Sequence, residues 1–455
     1  MRQQSCIRVL VWCLVGLPLV AQTQQTFSAG TIPRSLTLAA AEELLLQRNQ
    51  AIAASRYQLE ISEALRRIAG YKPNPVIHIG MEQFPVQSPV RGSVPRFFST
   101  NADAGAQPTY TAEVIKIIER GGKRELRVQQ ADAVVDASRA QILDAFRTQL
   151  FQLRQAFTNA IQARENLRLA ETIDSQYVET ERLTNVRFQA GDVAAVELFR
   201  ARAARLPYRQ AVVDAQTAYQ QASRDILNLL NLRPDDASLL TISTAAPAQP
   251  GSASTASLPI QIEGQLLTKR IIPNVEELRA IALNERPDVA AARNTLRAAE
   301  HGLALARAQR KRDIAVGAEY QRVGSDSSVG MIAEFPLFVY NNQKAALSQA
   351  LAQEKTAEAQ LRQAETQAIT DVEKAYQAYL AAQRTLAIYS EDGLAATAKM
   401  RNIMEFSYQR GEASLFELLD AQRTASQAGL AANQARAAYA LAIWQLEQAI
   451  GRPLP

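Results

Sequence analysis

Chemistry-bearing side chains are scarce in this 455-residue chain. It has two cysteines, Cys6 and Cys13, and two histidines, His78 and His301. Both cysteines lie in the opening segment MRQQSCIRVLVWCLVGLPLVAQTQQ, where Arg2 and Arg8 precede a short apolar stretch from Val9 to Ala21. This layout reads as a secretory signal over residues 1–21, too short to span a bilayer comfortably; a membrane anchor is the other reading. Trp12 is too bulky to precede a lipidated cysteine, so no lipid attachment is expected. Removal of the signal leaves no thiol for a disulfide, a nucleophile or a thiolate metal site. His301 sits mid-helix beside Glu300, and His78 has no second ligand at metal spacing. Five methionines do not make a copper relay. No metal site and no cofactor are expected. With no histidine cluster and no glycine-rich phosphate loop either, an enzyme is not expected.

Long apolar runs are missing too. After Ala21 no stretch of eighteen apolar residues occurs, so no membrane-spanning helix is expected. The mature chain is either soluble in an exported compartment or crosses a membrane as strands. The formal charge of +5 falls to about +3 without Arg2 and Arg8. Basic residues are dispersed, which argues against nucleic acid and against a basic membrane patch. Only 19 glycines and 18 prolines interrupt a chain dominated by Ala, Leu, Gln, Arg and Glu. That composition points to long helices.

The chain repeats itself. RFQAGDVAAVEL from Arg187 returns as SYQRGEASLFEL from Ser407, an offset of 220 residues that also aligns Ala201 with Ala421 and Tyr219 with Tyr439. Earlier, QRNQAIAASR from Gln47 matches NERPDVAAAR from Asn284, and VIHIG from Val76 matches DIAVG from Asp313, at an offset of 237. The 17-residue difference falls between Gly80 and Lys116, in a stretch rich in turn formers that reads as an exposed loop.

Each copy reads as four segments. A helix over Leu38–Tyr71, or Val275–Arg312, comes first. Two strands follow, Pro75–Phe84 with Thr109–Ile118, or Asp313–Gln321 with Ser328–Phe335. In the second copy Ile314, Val316, Ala318 and Tyr320 share one face and Asp313, Ala315, Glu319 and Gln321 the other. Strands of about ten residues suit a tilted membrane crossing. A very long helix comes next, Lys123–Gln189 or Gln343–Gln409, about 100 Å at 1.5 Å per residue. Its seams are heptad-like, through Phe146, Leu150, Leu153, Phe157 and Ala160, and through Ile369, Val372, Tyr376, Tyr379, Gln383 and Leu386. Gly191 and Gly411 mark reversals into return helices, Val193–Asn231 (which Pro207 is expected to kink) and Ala413–Ile450. The two shorter helices of a copy together equal the long one, so they are expected to stack end to end beside it. The chain divides into a signal (1–21), an N-terminal extension (22–35), repeat one (36–232), a Pro/Ser/Ala/Thr-rich linker with a short strand or helix (233–273), repeat two (274–451) and a tail (452–455).

Four membrane-length strands cannot close a barrel, and an open sheet edge is costly in lipid. Two copies of the chain make eight strands, a size whose interior side chains fill; three make twelve, which leaves room for a lumen.

The duplicated turns RFQAGDVAAVELFRAR and SYQRGEASLFELLDAQR, the strand exits ERGGKR and EFPLFVYNNQK, and the NERPDVAAAR helix resemble the TolC-like outer-membrane efflux proteins over nearly the whole mature chain. The GGKR stretch is most similar to the heavy-metal branch, the CzcC-like and CusC-like ducts. The resemblance implies a mainly α protein with a small β part. Long antiparallel hairpins form an α-barrel, and four strands per chain build a trimeric twelve-stranded β-barrel in the outer membrane, with a long periplasmic helical domain. It implies a homotrimer in outer-membrane lipid, a periplasmic adaptor, and an inner-membrane pump of the RND type or similar. The function implied is a passive exit duct, with metal cations one possible cargo. A periplasmic coiled-coil adaptor or scaffold without a barrel is the competing reading. The resemblance places a pore constriction or gate at Glu197, Tyr408, Glu417 and Asp420, against a solvated acidic start to a helix, favoured by the helix dipole, for the acids and ordinary packing for the tyrosine. It places adaptor contacts at the tip turns, Gly191, Asp192, Gly411 and Glu412. Ala413 stands where the family's gate uses an arginine.

Overall fold

The computed structural model describes residues 35–82, 108–232, 261–266, 272, 274–337, 342–389 and 391–454. The expected signal, the N-terminal extension up to residue 34, the insertion loop at 83–107 and most of the linker lie outside the described residues.

A two-residue strand β1 (Ser35–Leu36) leads into α1 (Leu38–Arg48) and α2 (Gln50–Ala69). Strands β2 (Val76–Glu82) and β3 (Thr109–Ile118) follow, then α3 (Lys123–Gln189) and α4 (Ala195–Leu229). After β4 (Gln261–Ile262) come α5 (Val275–Glu285), α6 (Pro287–Ala308), β5 (Ile314–Val323) and β6 (Asp326–Glu334). The chain closes with α7 (Lys344–Ile388), α8 (Glu391–Gln409) and α9 (Leu415–Ile450).

Three helices expected to be continuous are broken. The first breaks at Asn49, whose side chain accepts from the backbone N–H groups of Ala51 and Ile52 at 3.0 and 3.1 Å and so starts a new helix. The second breaks at Arg286. The following proline disfavours the helical conformation for that residue and itself fits the first position of α6. The third is the second long helix, where Tyr389 leaves helical geometry (ψ 44°) before α8 resumes at Glu391. Here no proline acts; the SEDG stretch is rich in residues that favour caps and turns over helix interiors. By contrast α3 is one helix of 67 residues, and α4 runs through Pro207 as a single helix.

The short helices do stack end to end beside the long ones. The Asn49 amide donates to the Leu229 carbonyl at the end of α4 at 2.9 Å, and to Gln149 of α3 at 3.1 Å. In the second half Arg286 donates to the Ala449 carbonyl at the end of α9 at 3.2 Å. The core gathers at these junctions. One cluster joins Leu36, Leu45, Ile52, Leu153, Phe157 and Ile226; the other joins Leu278, Val372, Tyr379, Ile443 and Leu446. Both heptad seams therefore face the core. Around them α9 buries seven alanines among its seventeen buried residues, which lets helices approach closely. The linker supplies β4, which pairs in parallel with β1 and is tied to α3 by Arg164, donating to the carbonyls of Ile262 (2.7 Å) and Gly264 (2.9 Å).

Strands β2, β3, β5 and β6 form one antiparallel sheet in that order. The two halves of the chain meet in it through ten register pairs, from Thr109↔Val323 to Ile118↔Ile314. Strands β2 and β6 are its edges. No helix among the described residues is long and apolar enough to cross a membrane.

Candidate functional site

Two places lie at opposite ends of the helical rod: the sheet and the paired helical turns. In the sheet, the register assigns every residue to a face, because directly paired residues share one. One face carries Ile77, Ile79 and Met81 of β2, Tyr110, Ala112, Val114, Lys116 and Ile118 of β3, Ile314, Val316, Ala318, Tyr320 and Arg322 of β5, and Ser327, Val329, Met331 and Ala333 of β6. It is solvent-exposed in the single chain, up to 94% at Met331. An uncovered apolar face of that extent needs a covering medium.

The opposite face is polar away from the helices. Its rows are His78–Glu113–Glu319–Gly330, Gly80–Thr111–Gln321–Ser328 and Glu82–Thr109–Val323–Asp326. All five strand carboxylates (Glu82, Glu113, Glu319, Asp326 and Glu334) lie on this face, and both strand cations, Lys116 and Arg322, lie on the other. Glu113 sits directly opposite Glu319, an arrangement that opposes pairing of the strands through like-charge repulsion. His78 thus gains carboxylate neighbours that sequence spacing did not reveal. Even so, no group of three potential ligands suited to a metal occurs among the described residues.

At the base of the sheet the Lys123 ammonium is buried against Asp313, 2.9 Å from both carboxylate oxygens. Burial alone raises the Asp313 pKa, but the hydrogen bonds from Lys123 and the Arg120 backbone outweigh it, and the net shift is downward. This pair ties the entry of β5 to the start of α3.

At the far end, α3 and α8 finish with the same hydrogen-bond pattern. Gly191 N–H donates to Phe188 and Asp192 N–H to Arg187, at 3.0 and 2.9 Å; Gly411 N–H donates to Tyr408 and Glu412 N–H to Ser407, at 3.1 and 2.9 Å. The glycines take φ of +84° and +77°, the left-handed conformation this cap requires. The two turns are joined side by side. The Tyr408 hydroxyl lies 2.8 Å from Thr184 Oγ1, Arg187 donates to the Tyr408 carbonyl at 3.1 Å, and its guanidinium stands 4.9 Å from the Tyr408 ring centre. Tyr408 is fully buried, packed with Ala201, Leu415 and Leu418.

The acids expected at this tip differ in their surroundings. Glu417 forms a capping box with Ser414: it accepts from the Ser414 N–H at 2.8 Å, and the Ser414 hydroxyl accepts from the Glu417 N–H. The bond from the Ser414 backbone, then that from its hydroxyl, lowers the Glu417 pKa. Asp420 pairs with Arg423 at 2.6 Å. Glu197 follows Ala194, which has no side chain to cap α4, and its carboxylate makes no ion pair among the described residues. Asp192 and Glu412 are exposed in the turns. Sequence reasoning missed Arg187 and Thr184. The available signal was a mismatch between copies, since Arg187 aligns with Ser407.

This fold, a strand sheet with one apolar and one acidic face carried on long helices, is shared with solved outer-membrane channels. Residues 278–452 match the family described as outer membrane efflux protein. The outer membrane protein VceC from Vibrio cholerae is similar at 19% identity and TM-score 0.70, over 92% of this chain and 97% of that one. The open state of the Neisseria gonorrhoeae MtrE outer membrane channel is similar at 19% and 0.71, over 92% and 89%. CusC, described as forming a transmembrane channel, is similar at 16% and 0.70, over 91% and 92%. These likenesses establish the fold. No curated protein matches the chain.

Proposed function

We propose that three copies of the chain close into a twelve-stranded barrel continuous with a helical barrel, and that the protein is the outer-membrane exit duct of a tripartite efflux system. The observation carrying this reading is the two-faced sheet with unpaired edges. In hydrocarbon, unpaired N–H and C=O groups on β2 and β6 cost several kcal/mol each, roughly. Pairing β6 of one copy with β2 of the next keeps the alternating strand direction and removes every edge. The apolar face then meets lipid and the acidic face lines the lumen. An adaptor or scaffold reading leaves that apolar face without a purpose. In this reading the sequence duplication supplies two similar hairpins per copy, and the rod reaches into the periplasm. The turns at Gly191–Asp192 and Gly411–Glu412 then meet a periplasmic adaptor that links the duct to an inner-membrane pump.

Cargo cations, metal ions among them, are favoured by the carboxylates on the inner face. At the tip, Glu197, Glu417 and Asp420 form the proposed constriction. Tyr408 contributes by holding the two turns together from within its own protomer.

The test is reconstitution. Membrane fractions should release the protein only with detergent, as an oligomer that dissociates on heating, and planar bilayers should show single-channel steps with cation preference. A stable monomer released by buffer alone would refute the duct.

A further inference from the structure

The segregation of strand charge has a second side. The lumenal carboxylates explain themselves as pore lining, but a pore does not need Lys116 and Arg322 on the opposite face. Between them the outer face holds only apolar or aromatic side chains: Val316 and Ala333 beside Lys116, then Ile77, Val114, Ala318 and Met331, then Ile79, Ala112, Tyr320 and Val329. The two cations bracket this band. Arg322 lies in the row farthest from the helices, Met81–Tyr110–Arg322–Ser327, one residue short of the strand end at Val323 and next to the Gly324–Ser325 turn. No carboxylate shares its face. Its Nε donates to the Gly324 carbonyl at 3.1 Å, which turns the guanidinium toward the rim. Tyr110 is its direct register partner, and the Tyr320 hydroxyl lies 3.0 Å from Ser327 Oγ one row in. A cation at the edge of a lipid-facing band, flanked by tyrosines, matches an anionic headgroup at the membrane interface. The planar guanidinium fork suits a phosphate in particular.

We propose that Arg322, with Tyr110 beside it, forms a docking surface for the phosphate of an anionic lipid in the leaflet farthest from the helices. This rests on the membrane-barrel reading above. Charge complementarity selects the occupant: the face offers cations at its rims and no acid anywhere, so a zwitterionic or uncharged headgroup gains less there than a phosphate monoester.

The experiment uses the full chain in nanodiscs of zwitterionic phospholipid doped with lipid A, or with lipid A stripped of its phosphates. Lipid retained after mild delipidation is counted by native mass spectrometry. Wild type should retain the phosphorylated form about tenfold better, as expected for charge-assisted hydrogen bonds lost with the phosphate. Arg322→Gln should abolish the difference, and Arg322→Lys should keep part of it. Lys116→Gln, at the opposite rim, should leave it intact and shows that a rim substitution does not by itself prevent folding. Equal retention of both lipids by a wild type that inserts normally overturns this inference alone. Displacement of lipid A by inorganic phosphate identifies a free-anion site and also overturns it. Failure of wild type to enter nanodiscs of any composition overturns the barrel reading, and this inference with it.

Discussion

Asn49 and Arg286 occupy breaks with the same backbone geometry, φ −67° in both and ψ 124° and 125°, yet they hold their neighbours by different chemistry. Asn49 is a neutral cap that also reaches the Leu229 carbonyl at the end of α4. Arg286, 2% exposed, does the parallel job for α9 with a charge, held by Asp288 at 2.6 Å and Asp371 at 3.0 Å. One junction is satisfied by an amide and the other by a buried ion network. They should therefore fail differently.

Asn49→Ala removes a helix cap and leaves the Leu229 carbonyl without its amide donor. The expected cost is about 1–2 kcal/mol. Arg286→Ala strands two carboxylates that are themselves partly exposed, so the expected loss is about 2–4 kcal/mol, at the low end of values for broken buried pairs. Chemical denaturation of the detergent-solubilised protein should rank the two variants in that order. A reversed ranking would mean that solvent reaches Asp371 and Asp288 freely once Arg286 is gone.

The same network makes stability depend on pH. Burial pushes the Asp288 carboxyl up, but the hydrogen bond and charge of Arg286, with Arg147 and the Val289 N–H, more than offset this and hold its pKa below the ordinary 3.8. A carboxyl depressed by folding stabilises the fold above its unfolded-state pKa. That stability is lost as pH falls through the folded-state value. Melting temperatures of wild type should therefore drop on acidification below about pH 4. Asp288→Asn should be less stable than wild type at pH 7 and converge with it in acid. Parallel curves at all pH values would remove Asp288 as the source.

At the tip, Tyr408→Phe deletes a buried hydroxyl and its bond to Thr184, which keeps its bond to the Thr180 carbonyl, at a cost of about 1 kcal/mol. Tyr408→Phe with Thr184→Val removes both polar groups and should recover part of that loss. Hydrogen exchange over residues 404–418 is the readout. Faster exchange in the single variant and slower exchange in the pair supports a local tie between the turns. In planar bilayers the single variant should also raise the open fraction, if that tie restrains the duct.

Selectivity separates the acids. Glu113→Gln with Glu319→Gln removes facing charges from the inner sheet face and should lower the cation preference measured by reversal potential. The same pair should stabilise the sheet slightly, because directly opposed like charges are relieved. Glu197→Gln at the tip should change conductance without loss of helix capping, whereas Glu417→Gln should loosen the start of α9. Unaltered reversal potentials across these variants would place the filter elsewhere.

Much of the molecule was legible before folding. Helix lengths followed from uninterrupted helix formers, so α3 runs over the residues read from sequence. The turn glycines declared themselves because only the left-handed conformation completes that cap. Strand alternation marked two faces on β5 and β6. The three helix breaks were less visible. Asn49 can cap or continue a helix, and the choice falls to capping because the Leu229 carbonyl and Gln149 wait for its amide. Tyr389 is followed by the SEDG stretch, which favours a break without requiring one.

What the sequence determined alone is therefore periodic: helices, reversals and strands, each set by interactions within a few residues. What only the tertiary structure decided is pairwise and distant. Register brought Glu113 opposite Glu319 and sorted the carboxylates from the cations. Helix packing buried Tyr408 against Thr184 and Arg187. Such pairings are separated by tens to hundreds of residues, and their energies depend on direction and distance, which no local pattern encodes.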